Sequence, residues 1–178
     1  MIRAKQDKAY MEDDRLSFRH RIGHEDLQTI REIVTSSGYF SAEETDIAEE
    51  LGQAALAQGV RSGYEFVFAD LCHCNARITA GYACYGKIPC TDGSFDLYWL
   101  AMHQKYRGKG LGRNLLAMVE NCVASRKGRK LFVETSSRTQ YAPTRQFYRA
   151  CGYEEEARIH DYYQQGEDQV IFSRLIST

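Results

Sequence analysis

The sequence predicts an α/β (α+β) domain in which about seven strands and four helices follow one another as β-α-α-β-β-β-α-β-α-β-β. Three observations carry that reading. Short runs rich in aromatic and β-branched residues alternate with longer segments whose apolar residues recur at helical spacing. A glycine-rich, basic turn, Tyr106-Arg107-Gly108-Lys109-Gly110-Leu111-Gly112-Arg113, joins a nearly continuous apolar run to an amphipathic one. The chain has 178 residues, 43% apolar and 26% charged, which fits one globular domain with a sizeable core.

Residues 1–14 mix Arg3, Lys5 and Lys8 with Glu12, Asp13 and Asp14. They carry no apolar run of the kind a signal peptide or membrane span needs, and are expected to form a solvated arm ahead of a single domain over 15–178. A strand is expected near 16–22, then a helix over about 25–37 with Leu27, Ile30, Ile33 and Val34 on one face. A second helix over about 42–58 opens with Ser41 followed by Glu44, a capping box, and stops at Gly59. Strands follow near 64–71 and 77–87. The run 95–102 is apolar enough to be a strand covered on both faces. After the glycine turn, Leu111, Leu115, Met118, Val119 and Cys122 mark one buried helix face. A strand over 130–135, a helix opened by Pro143, and two strands over about 155–163 and 169–175 complete the order.

The glycine turn is where chemistry is expected. The first N–H groups of a helix have no intrahelical acceptor and lie at the positive end of its dipole, so they suit a phosphate. Lys105, Arg107, Lys109 and Arg113 crowd cations there, although the formal net charge of the chain is -1. Local basicity of this kind suits a small polyanion better than nucleic acid, which needs a broader basic face. A Walker-type loop is absent, since no Gly-Lys-Ser/Thr follows at the required spacing. A dinucleotide fingerprint would need glycine where Arg113 stands; Glu134, placed where a ribose-binding acid would fall, keeps that alternative open.

The spacing of Arg107, Gly110 and Gly112 resembles the pyrophosphate loop of the GNAT superfamily of acyl-CoA-dependent N-acyltransferases. Phe147-Tyr148-Arg149-Ala150-Cys151-Gly152-Tyr153 likewise resembles the final helix of that family, Phe/Leu-Tyr-x-x-x-Gly-Phe/Tyr. The resemblance is specific over 95–153. It implies a mixed, mostly antiparallel sheet with helices on both faces, acetyl-CoA as cosubstrate and no metal. It further implies that backbone N–H groups of Arg107, Gly108, Lys109, Gly110, Leu111, Gly112 and Arg113 hold the pyrophosphate, and that the strand backbone at Leu100 and Met102 pairs with the pantetheine arm. Relatives often carry asparagine where Tyr141 stands, so Tyr141 is carried over as a cofactor contact with a changed side chain.

Acetyl transfer to an amine needs a free amine, a polarised thioester carbonyl and a proton for the departing thiolate. The resemblance assigns that proton to Tyr148, a phenol of ordinary pKa about 10 facing a thiol near 8.5. It assigns the base to Asp96, the charged residue of the strand over 95–102; at an ordinary pKa of about 3.9 it would need burial or a water relay. Direct attack by the amine leaves no role for an acyl-cysteine. The resemblance also implies an acceptor wall from Tyr39, Phe40, Arg138 and the hairpin pair Tyr162-Tyr163, of which Tyr162 is taken as the contact. Arg138 would clamp a carboxylate, which suits an amino acid, whereas Glu43 and Glu44 would suit a cationic amine. The stretch from Glu134 to Tyr148 is also similar to a bacterial branch carrying a D-alanine N-acetyltransferase label.

Peptide or protein amines, a non-catalytic acyl-CoA sensor and a dinucleotide-binding protein are the alternatives. Retention of both Tyr148 and Asp96 argues against a sensor. Six cysteines, among them Cys72 and Cys74 around His73, lack the four-ligand spacing of structural zinc. Reduced thiols in a cytoplasmic monomer or homodimer, without nucleic-acid or membrane partners, are the expectation.

Overall fold

A computed structural model describes residues 15–73 and 76–176, so the proposed arm over 1–14 lies outside the described residues. The elements are β1 (Arg15–Arg19), α1 (Glu25–Ser37), α2 (Ala42–Gln58), β2 (Glu65–His73), β3 (Ala76–Lys87), β4 (Ser94–Met102), α3 (Leu111–Ser125), β5 (Lys130–Ser136), α4 (Ala142–Ala150), β6 (Glu154–Gln164) and β7 (Glu167–Leu175). The expected order is therefore found. The strands form one seven-stranded sheet in the order β1-β2-β3-β4-β5-β7-β6. Every neighbouring pair is antiparallel except β4 with β5.

Each sheet face is covered by its own pair of helices, as the two-residue alternation of the strands requires. Val67 and Ala69 of β2 point toward α3 and α4 and join Phe95, Leu115, Val119, Tyr148 and Phe172 in one core. Phe66 and Phe68 point the other way and pack with Ile30, Ile33 and Val34 of α1 and Ala48 of α2. The buried stripe of α3 is Leu115, Leu116, Val119 and Val123. It is rotated from the expected face, leaving Leu111, Met118 and Cys122 at its edge, because the helix rests on β2, β3 and β4 rather than on a single strand.

Two local details were partly legible. The capping box of α2 is complete: Glu44 N–H donates to Ser41 Oγ at 3.1 Å and Ser41 N–H donates to Glu44 Oε2 at 2.7 Å. In α1, Leu27 is only partly buried, whereas the charged Asp26 is 2% exposed. Arg19 makes that burial tolerable by donating from both terminal nitrogens to Asp26 at 2.7 Å while its Nε reaches Asp70 at 3.1 Å.

β4 is covered on both faces, as expected, but through an irregular register rather than simple alternation. Cys84 pairs with Trp99 and Tyr85 with Leu97, so Tyr98 has no opposite residue on β3 and forms a bulge. Before it, Phe95 and Leu97 face the α3/α4 core; after it, Trp99 and Ala101 face α1 and α2. Tyr98 itself is 39% exposed.

Candidate active site

The parallel pairing of β4 with β5 runs only from Ser94 and Lys130 to Leu97 and Val133. Beyond those residues β4 continues to Met102 against β3, and β5 continues to Ser136 against β7. The two strands part, and the edge of β4 that carries Leu100 and Met102 has no strand partner toward β5. Unpaired backbone groups on such an edge are what an extended, amide-bearing chain can bind.

Below the gap, Gly110 is the N-cap of α3, with φ 80 and no side-chain cap hydrogen bond. Gly108 has φ 73, and a Cβ added at either glycine would meet nothing within 4 Å. Left-handed backbone beside open space is where glycine is needed, and it leaves the first N–H groups of the helix approachable by an anion. The four expected cations divide. Arg107 donates from Nε to the Met102 carbonyl at 3.1 Å and from Nη1 to the Ser37 carbonyl at 3.3 Å, and its guanidinium lies 4.8 Å from the centre of the Tyr39 ring. Arg113 donates to the Ala150 carbonyl, capping the end of α4. The side chains of Lys105 and Lys109 lie over the Tyr106 ring instead. The Arg107 N–H donates to the Gln104 carbonyl at 3.3 Å and the Arg113 N–H to the Gly110 carbonyl at 3.1 Å, so their backbone donors, like their side chains, are committed elsewhere.

A cavity of about 570 Å³ opens on the gap. Tyr148 reaches it from α4, which begins on Tyr141 with Pro143 in its first turn. The Tyr148 ring is held by Phe147, Tyr153 and Phe172 with centroids 5.3, 5.7 and 6.2 Å away. The residue is 4% exposed, and among the described residues its hydroxyl has no hydrogen-bond partner. Burial, with a smaller contribution from Cys151, holds this phenol well above its ordinary pKa, so it keeps its proton across neutral pH.

Asp96 stands behind the cavity wall rather than on it. Its carboxyl is pushed up to about 6, first by burial and then by the charge of Glu134. Glu134, one register step beyond the paired stretch of β5, does line the cavity and accepts from the Gln169 amide at 2.5 Å. A lone carboxylate in the apolar run Leu131-Phe132-Val133-Glu134 was the signal, the same one that singled out Asp96 on β4.

Of the expected acceptor residues, Tyr39, Phe40 and Arg138 line the cavity together with Tyr141, whose hydroxyl donates to the Tyr39 carbonyl at 3.2 Å. Tyr162 does not; Tyr163 takes that position. Asp161 has φ 55 and the β6–β7 register slips between Ile159 and Gln164, so counting along the hairpin gives the wrong tyrosine. Arg138 is joined through Nε to Glu167 at 2.7 Å, a partner that sequence reasoning did not supply. Trp99 also lines the cavity, and its Nε1 is buried without a partner. Among the described residues, no group of three or more His, Cys, Asp or Glu side chains is placed to hold a metal ion, and no helix is long and apolar enough to cross a membrane. Cys74 lies outside the described residues.

Comparison with known proteins agrees with this geometry. The family model for the acetyltransferase (GNAT) domain matches residues 62–155. A GNAT-family protein from Desulfovibrio desulfuricans is 41% identical, with a TM-score of 0.86 over 92% of this chain and 100% of that one. The ribosomal-protein-S18-alanine N-acetyltransferase of Escherichia coli is 21% identical, with a TM-score of 0.68 over 92% and 96% of the two chains. A structure from Salmonella typhimurium with its cofactor acetyl-CoA is 18% identical, with a TM-score of 0.67 over 92% and 95%. The latter two likenesses are of fold alone. None of the curated proteins matches the sequence. The glycine-capped helix, the parted strands and the matched family lead to one conclusion: the chain belongs to the GNAT family of acetyltransferases, with acetyl-CoA as the acetyl donor.

Proposed function

We propose that the protein acetylates a primary amine of a small molecule by direct attack of that amine on the donor, with Tyr148 as the proton donor. The observation that carries this reading is the Tyr148 hydroxyl, 4% exposed, unpartnered among the described residues and opening on the cavity where β4 and β5 part. A cavity of about 570 Å³ falls within the usual range for small-molecule sites.

The donor supplies an activated acetyl thioester; the residues of the chain do the rest. The N–H groups at the start of α3 hold the diphosphate, and the free edge of β4 at Leu100 aligns the arm. Met102 contributes less, because its carbonyl already accepts from Arg107. Asp96 takes the proton of the incoming ammonium through water along the Glu134 wall; its raised pKa brings it closer to the working pH of a base. The amine nitrogen bonds to the acetyl carbon, the carbon–sulfur bond breaks, and Tyr148 gives its proton to the departing thiolate. No cysteine lines the cavity, and burial raises the thiols of Cys84, Cys122 and Cys151, so none is poised as an acyl carrier.

Tyr148→Phe tests the assignment, since it removes only the hydroxyl. kcat should fall by about 10²-fold to 10⁴-fold while acetyl-CoA affinity changes little. Nearly full kcat across the pH range in a folded variant would make Tyr148 a packing residue and move the role to water or Tyr141.

A further inference from the structure

The cavity carries more negative charge than one reacting amine requires. Its wall holds three carboxylates, Glu44, Glu134 and Glu167, and one guanidinium, that of Arg138. Arg138 and Glu167 neutralise each other at 2.7 Å, and Ser136 Oγ donates to the second Glu167 oxygen at 2.7 Å. The carboxylate clamp expected of Arg138 is therefore engaged within the protein, and two carboxylates are left without a cation.

Those two stand at separate places. Glu134 lies on β5 near Asp96 and Tyr163, whose phenol is pushed up to about 12 by burial and then by Glu134. Glu44 lies in the first turn of α2 near Tyr141, whose phenol is raised by burial and then by Glu44. Among the described residues, neither forms an ion pair with a lysine or arginine; each accepts one hydrogen bond, from Ser41 N–H and from the Gln169 amide. Tyr39, Tyr98, Tyr141 and Tyr163 line the same cavity; aromatic rings also favour cations, and that of Tyr39 already has the Arg107 guanidinium 4.8 Å from its centre.

The Tyr148 side chain, 4% exposed and lining the cavity, is an independent mark of where a ligand reacts, and Glu134 lines the same cavity. Glu44 lines the cavity from another element, α2. A neutral or anionic group placed against Glu44 would strip water from a carboxylate and offer nothing in return, which is costly; a second cation there compensates it.

We propose that the acceptor is dicationic: an aliphatic diamine, or an amine bearing a second ammonium or guanidinium, whose distal cation is held by Glu44 beside Tyr39 and Tyr141 while its near amine is acetylated. This rests on the transfer reading above and names its substrate class. Glu44→Gln is the informative variant, because glutamine at that position can complete the same capping box while removing the charge.

The experiment compares putrescine and cadaverine with butylamine and β-alanine, following free thiol release from acetyl-CoA. In parallel, calorimetry measures diamine binding to the complex with CoA. The parent should prefer a diamine over butylamine by about tenfold or more in kcat/KM, and Glu44→Gln should erase most of that preference by lowering diamine kcat/KM. Equal use of butylamine and diamines, better use of β-alanine, or a preference untouched in Glu44→Gln would overturn the proposal while leaving acetyl transfer standing. Diamine binding that weakens in Glu44→Gln, without thiol release from any amine, would keep the subsite and sink the transfer reading.

Discussion

The donor half of the site is made of backbone, and the acceptor half is made of side chains from many elements. The donor half consists of left-handed glycines at 108 and 110, the opening turn of α3 and a strand edge left bare by the parting of β4 and β5. The acceptor half gathers Tyr39 and Glu44 from around the α1–α2 turn, Tyr98 and Trp99 from β4, Glu134 from β5, Tyr141 from the start of α4 and Tyr163 from β6. Backbone recognition requires only that glycines stand at fixed spacing, so it leaves a local sequence signature. Recognition by scattered side chains leaves none.

The largest effect should come from attacking the backbone half. Gly110→Ala with Gly112→Val is expected to weaken acetyl-CoA binding about a hundredfold or more, equivalent to ~2.7 kcal/mol, by calorimetry. A Cβ at Gly112 meets only ordinary contacts, the nearest being Met102 Cγ at 3.6 Å, so the fold should survive and circular dichroism should be unchanged. Unaltered affinity in that folded variant would break the assignment of the loop, and tight NAD binding by the parent would restore the dinucleotide alternative.

Arg107 tests whether the two halves are separate. Its backbone belongs to the donor loop, but its side chain holds the Ser37 carbonyl and faces Tyr39, which belong to the acceptor wall. Arg107→Gln should therefore raise the KM for the acceptor by about tenfold, the scale of one charged hydrogen bond, while acetyl-CoA affinity stays within about threefold. The opposite split would make the side chain a phosphate ligand after all.

The smallest effect is a shift of a pH limb. With the Asp96 carboxyl at about 6, activity should rise with pH through that value as the base loses its proton. Glu134→Gln removes the lesser of the two causes and should move the limb to lower pH by less than about one unit; Asp96→Asn should abolish the limb. Complete loss of activity in Glu134→Gln, with the limb intact in Asp96→Asn, would transfer the role of base to Glu134. Stability carries the opposite sign. The native state keeps the Asp96 proton between about 4 and 6 where the unfolded chain has lost it, so stability falls as pH rises through that window. Melting curves of Asp96→Asn should lose that dependence.

These contrasts also explain what the sequence could reveal. The order of elements, the capping box at Ser41 and Glu44 and the glycine turn that opens α3 were legible because each rests on residues close in the chain. The face of α3 was read with a rotational error, since periodicity defines a stripe but not the curvature of the sheet it meets. Tyr163 was missed for Tyr162 because the irregular register of the β6–β7 hairpin shifts the alternation. Glu167 and Arg138 lie far apart in sequence, and nothing local announces that they pair.

The bulge at Tyr98 can be regarded as a reading frame. One extra residue on β4 sends Leu97 to one core and Trp99 to the other, so every side chain after it is assigned to its face by that insertion. Deleting Tyr98 would restore an uninterrupted strand in which Leu97 and Trp99, now neighbours, still face opposite cores. What the sheet would gain in regularity the cavity would lose in one aromatic wall, because Tyr98 is the residue that the bulge leaves over to line it. In this strand the irregularity holds one side chain outside the alternation, and wherever Tyr98 is kept the bulge must be kept with it for Trp99 to stay on its own face.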